Sequence, residues 1–128
     1  MSQIKGLIID TPHIDNIMSG KKVWEMRTTA TKQRGHVALI RKGSGQIVGI
    51  ADLTDSAGPL SEGEMLANER KHLISPERLS EPKVLKYRHA WVLSNARRFA
   101  VPIAYRHPSG AVIWVNLDPE TSRAVLAS

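Results

Sequence analysis

Apolar residues fall in short, separated runs along the chain, and the period within each run sorts strands from helices. Gly6-Leu7-Ile8-Ile9 is brief and β-branched, so Lys5 to Asp10 is predicted as a first strand. Thr11-Pro12 reads as an N-cap followed by proline at the first helical position. Ile14, Ile17 and Met18 then recur at helical spacing as far as Ser19, and Gly20 closes the helix. A second strand is predicted at Val23-Arg27. A third, His36 to Ile40, begins after Gly35, turns at Lys42-Gly43-Ser44-Gly45 and returns as Gln46 to Leu53, a hairpin.

The middle of the chain changes period. Ser61 with Glu64 three residues on forms a capping box ahead of Met65, Leu66 and Leu73, and Ser75-Pro76 opens another short helix. Strands resume at Tyr87 to Leu93 and Ile113 to Leu117, with a Ser109-Gly110 turn between, and Asp118-Pro119 starts a terminal helix. The order β-α-β-β-β, a helical insert at about 61–86, then β-β predicts an α+β fold: a small closed or half-closed mixed barrel with flanking helices. Strands and helices do not alternate regularly enough for a doubly wound sheet. With 128 residues, and no linker or internal repeat, a single domain over 1–128 is expected.

Charge sharpens the picture. Lys and Arg number 18 against 12 Asp and Glu, a formal net charge of +6. That surplus suits a polyanionic partner through counterion release, although a partnerless solubility charge is the plain alternative. The cations cluster at Lys32-Arg34, Arg41-Lys42, Arg70-Lys71, Lys83-Lys86-Arg88, Arg97-Arg98 and Arg106, positions expected at strand ends and in loops. Cysteine is absent, which removes disulfides and thiolate chemistry. Five histidines lack metal-ligand spacing, so neither metal nor cofactor is expected, and His13 reads as a solvated helix-start residue. Gly43-Ser44-Gly45 is not a phosphate loop, because no helix follows it. The opening Met1-Ser2-Gln3-Ile4-Lys5 has no signal-peptide character, and no apolar run nears the ~20 residues that span a bilayer, so a cytoplasmic monomer is expected.

Candidate chemistry concentrates in Gly20-Lys21-Lys22-Val23-Trp24-Glu25-Met26-Arg27. Strand parity puts Glu25 and Arg27 on one face and Trp24 and Met26 on the other. A carboxylate beside a guanidinium can orient it, leaving its other donors for a phosphate or a base edge; a surface ion pair beside a solvated lysine is the competing reading. Lys22 lies at the turn and can curl over the same face. Trp91 and Trp114 are expected in the core. Trp24 is the tryptophan best placed to stack on a base, yet its parity argues for burial.

Gly20-x-Lys22-x-x-Glu25-x-Arg27 resembles the G-x-K-x-x-E-x-R signature of the ASCH (activating signal cointegrator homology) domains at every fixed position. Arg34-Gly35, the stretch His89 to Arg98 followed by Pro102-Ile103, and Gly110 to Val115 resemble later blocks of the family. The resemblance implies a PUA-like barrel with a basic cleft beside the motif and RNA, single-stranded nucleic acid or a nucleoside as partner. With the charge clusters, the expected nucleic-acid contacts are Lys21, Lys22, Trp24, Arg27, Arg34, Arg97, Arg98 and Arg106, although Arg97, Arg98 and Arg106 read equally as solvated strand-end charges. Some relatives are enzymes, a ribonuclease or an N4-acetylcytidine amidohydrolase, and for an enzyme the catalytic candidates are Lys22, Glu25 and Arg27. In the amidohydrolase branch a threonine replaces the motif glutamate, so Glu25 departs from that pattern. That branch carries a second glutamate in its insert, for which Glu62, Glu64 and Glu69 are candidates.

Overall fold

A computed structural model describes residues 3–128; Met1 and Ser2, part of the opening segment read above, lie outside the described residues. Six strands, β1 (Lys5–Ile9), β2 (Trp24–Arg27), β3 (Gly35–Arg41), β4 (Gln46–Ala57), β5 (His89–Ala104) and β6 (Trp114–Asn116), form one mixed sheet in the order β2-β5-β4-β3-β1-β6. All neighbours are antiparallel except β1 and β3, which run parallel from Lys5↔Val37 to Ile9↔Arg41. The sheet curls into a half-barrel. Arg27 on the edge strand β2 reaches the carbonyl of Ile8 on β1, which only curvature can bring close because three strands separate them.

Strand parity divides the core. Leu7, Ile9, Val37, Leu39, Ala51, Leu53, Trp91 and Leu93 face inward and pack on Ile14 and Ile17 of helix α1 (His13–Met18). The alternating residues Ile8, Ala38, Ile40, Ile47 and Ile50 face the other way, where Val125 of α5 (Pro119–Ala127) covers them. Both faces of β1 and β3 are therefore buried, which explains why Val37-Ala38-Leu39-Ile40 is continuously apolar. The insert consists of α2 (Glu62–Ala67), α3 (Glu69–His72), a 3₁₀ turn (Pro76–Arg78) and α4 (Pro82–Leu85). Met65, Ile74, Leu79 and Val84 make a third cluster with Met26 and Ala90, so the insert sits on β2 and β5. Among the described residues no helix is long and apolar enough to cross a membrane.

The capping box at Ser61–Glu64, the β3–β4 hairpin and the Asp118 cap of α5 form as the sequence predicts. Four expectations are corrected. Pro12, not Thr11, occupies the cap position of α1, and the Thr11 hydroxyl instead accepts from Arg41 at 3.0 Å. Ser75 does hold the cap position ahead of Pro76, but what it opens is a 3₁₀ turn, and its side chain makes no cap bond. The strand expected to stop at Leu93 continues to Ala104. Arg97 and Arg98 are therefore mid-strand residues, and Pro102 also sits inside β5. Proline is tolerated there because β2 pairs only with His89 to Val92, leaving the outer edge of β5 without a strand partner beyond. Finally, Trp91 is buried as expected, whereas Trp114 is half-buried and stacks on it with centroids 5.5 Å apart.

Candidate functional site

The site begins where α1 stops. Gly20 takes a left-handed φ of 83°, its N–H bonds to the Ile17 carbonyl, and the chain reverses so that the Lys22 N–H reaches the carbonyl of Asn16. Lys22 is thereby carried inward, with only 2% of its surface exposed. Its ammonium donates at 2.7 Å to the carbonyl of His72, the last residue of α3. His72 is itself buried and doubly bonded. One ring nitrogen, Nε2, lies 2.6 Å from the Met65 carbonyl, and the other accepts from the Ile74 N–H at 2.9 Å. These partners require the neutral imidazole with its proton on Nε2. Burial lowers the His72 pKa, and burial likewise lowers that of Lys22, assisted by Arg27 and opposed by Glu25.

β2 then places the acidic and basic members. Glu25 pairs in register with Trp91 and Arg27 with His89. Arg27 Nη2 donates to Glu25 Oε2 at 2.9 Å and to the Ile8 carbonyl at 2.8 Å. Its guanidinium lies 5.3 Å from the ring centroid of Trp91, near enough for a cation–π contact. Glu25 and Arg27 are both largely enclosed, with side chains 9% and 15% exposed. Arg27 Nε is buried without a partner, and Nη1 makes no hydrogen bond among the described residues. One end of the guanidinium is thus fixed while the other is unclaimed.

These side chains line a cleft of about 310 Å³ together with Asp10, His13, Lys42, Arg78 and Tyr87. Its cations outnumber its carboxylates, Lys22, Arg27, Lys42 and Arg78 against Asp10 and Glu25. The volume falls at the lower end of the range for small-molecule sites, roughly 300–1,000 Å³. His13 is half-buried and not a solvated helix-start residue; burial is the main cause of its lowered pKa, with the Glu25 carboxylate opposing. Nothing local in the sequence marks His13, Arg78 or Tyr87 for this cleft. Among the described residues no three His, Asp or Glu side chains are grouped to hold a metal ion.

The other candidates lie elsewhere. Trp24 lines a separate groove with Lys71, and Lys21 is exposed between Gly20 and Lys22. Arg34 bonds to the carbonyls of Thr31 and Gln33, and Arg98 pairs with Asp15 at 2.7 Å. Arg97 borders a small hollow with His36 and Asp52, and Arg106 is exposed on the chain after β5. None of these lines the Lys22 cleft. Nor do the insert glutamates: Glu64 is engaged in its capping box, and Glu62 and Glu69 are exposed.

No curated protein sequence matches the chain. Three solved structures from Zymomonas mobilis do match in shape: an ASCH protein, its serine-to-alanine mutant and its tyrosine-to-phenylalanine mutant. They align with TM-scores of 0.68, 0.69 and 0.68 at 15% identity, over 98% of this chain and 94%, 95% and 98% of theirs. The curled mixed sheet with its few helices is thus the fold of those ASCH structures. The model of the ASCH domain matches residues 7–103, from β1 through the motif and the insert into β5, and the chain belongs to the ASCH domain family.

Proposed function

We propose that the protein binds single-stranded RNA by admitting one unpaired nucleotide to the Lys22–Glu25–Arg27 cleft. The observation that carries this reading is the half-engaged guanidinium of Arg27. Glu25 and the Ile8 carbonyl hold Nη2, and Nη1 remains free to donate to a base edge or a phosphate oxygen. Lys42 and Arg78, both exposed, supply charge at the same cleft for the backbone. A cleft of about 310 Å³ suits one splayed-out nucleotide and not a duplex, and unpaired bases are what sequence-reading RNA modules usually engage. On this reading the protein works in the cytoplasm as a monomer and needs no cofactor.

The test uses a short labelled RNA and fluorescence anisotropy on Glu25→Gln, Arg27→Gln and the double variant. Each single change is expected to weaken binding by about tenfold, or 1.4 kcal/mol. The double variant should lose little more than either single, because both changes dismantle the same pair. Wild-type affinity in all three would remove the cleft from the binding site.

A second reading has its own support in Lys22. An amine of lowered pKa, buried beside a carboxylate, is suited to proton transfer, as in a small hydrolase acting on RNA or on N4-acetylcytidine. Incubation with each substrate and chromatography of the products tests it. Turnover that disappears in Lys22→Ala would favour the enzyme; intact substrates would leave the binding module.

A further inference from the structure

We propose that the groove beside Trp24 is a stacking subsite for the neighbouring nucleotide of the same strand, so that the ligand is an oligonucleotide rather than a free nucleoside. This deepens the reading of the Lys22 cleft and rests on it for the first nucleotide. The groove holds about 430 Å³ and lies along Trp24, Lys71, Val92, Ser94 and Asn95. Lys22 is the one residue that lines both this groove and the first cleft.

Three observations fit a base with its phosphate. First, Trp24 is the one tryptophan of the motif strand, half-buried, with its ring against the insert and part of its surface open to the groove. An indole surface accepts any base, and such stacking is tolerant of sequence. Second, the charge is of one sign. Lys22 and Lys71 line the groove, Lys21 is exposed beside it, and no Asp or Glu is among its lining residues. Lys71 Nζ lies 5.0 Å from the centroid of the Trp24 ring. Because Lys71 is exposed, its flexible ammonium can exchange that contact for a phosphate as a base takes the ring. Third, β2 ends here: after Trp24↔Val92 and the bond from the Leu93 N–H to the Val23 carbonyl, β5 runs on with no strand at its outer edge. Ser94 and Asn95 line the groove along that stretch, beside the place where a base turned out of a stack would lie.

The experiment compares a mixed-sequence single-stranded RNA of about eight nucleotides with the four nucleoside 5′-monophosphates, titrated into wild type, Trp24→Leu, Trp24→Phe, Lys71→Gln and Arg27→Gln. Trp24→Leu and Lys71→Gln should weaken the oligonucleotide by about tenfold and about threefold while leaving mononucleotide affinity within twofold. Trp24→Phe should keep most of the affinity, yet lose the indole quenching that RNA causes in the wild type. Exposed Lys71 and the conservative phenylalanine keep the test open if Trp24→Leu fails to fold. The subsite is overturned if oligonucleotide binding falls in Arg27→Gln but not in Trp24→Leu or Lys71→Gln, in which case the first cleft stands alone. If binding falls in the Trp24 and Lys71 variants but not in Arg27→Gln, the subsite stands and the cleft reading fails. Competition by oligoglutamate as strong as by RNA would make the groove a general anion surface and overturn the stacking assignment.

Discussion

The ammonium of Lys22 is enclosed at a position where an ordinary lysine would stay in water. The backbone reversal at Gly20 drives it inward, and the His72 carbonyl gives it one strong acceptor. Removing an amine from water disfavours its charged form, so the pKa falls; the nearby guanidinium of Arg27 adds to this and the Glu25 carboxylate partly offsets it. The consequence for stability has a definite sign. In the folded protein Lys22 gives up its proton at lower pH than in the unfolded chain. Between those two values the unfolded state binds more protons, and stability rises with pH. Below the lowered folded value, and above the ordinary lysine value, this contribution is flat. Urea denaturation at a series of alkaline pH values should therefore show a gain in wild type that Lys22→Met lacks. Equal slopes in the two proteins would mean that Lys22 titrates as an exposed amine.

At the scale of elements, the junction between α1 and β2 is fixed by one backbone angle. Gly20 has a φ of 83° and no atom within 4 Å of where a side chain would begin. A substitution there meets conformational strain and no clash. Gly20→Ala should cost about 1–2 kcal/mol, the usual penalty for an L-residue in the left-handed region. Guanidinium unfolding measures it, and a loss below a few tenths would mean that the turn rearranges. This junction was legible in the sequence because glycine after an apolar helix has one common meaning. So were the hairpin, the capping box and the Glu25–Arg27 pairing, which depend on spacing within one segment.

What escaped the sequence depends on contacts between segments. The insert helices run only four to six residues, too short for a period to reveal a face. Nothing local therefore announced that His72 would hold Lys22 or that Arg78 would line the cleft. His13 is half-buried because residues of β1, β2 and the insert surround it, which its place at the start of a helix does not reveal. β5 was read short because Ser94 to Arg98 is polar; beyond β2 that half of the strand has a free edge, and the apolar alternation weakens.

Across the whole molecule the 18 Lys and Arg side chains are not all equally available to a phosphate chain. Arg27 is paired with Glu25, and Arg41 and Arg98 share Asp15, whose carboxyl is held well below its usual range mainly by the Arg41 hydrogen bond and then by that of Arg98. Cations already paired within the fold release few counterions when RNA arrives. Among the described residues, the exposed cations around the two hollows without an ion pair are Lys42, Lys21 and Lys71; Arg78 joins them, its contact with Glu81 being a long 3.9 Å between exposed groups. Arg106 is equally exposed, makes no ion pair among the described residues, and lines neither hollow. Affinity for single-stranded RNA should fall with salt with a slope of roughly −0.7 per phosphate contacted. Arg78→Gln should flatten that slope by about one such step. Arg106→Gln removes the same formal charge and should leave it unchanged. Anisotropy titrations between about 50 and 200 mM salt separate the two cases. Equal flattening by both variants would mean that RNA is attracted by the surface as a whole and that the two hollows do not set its path.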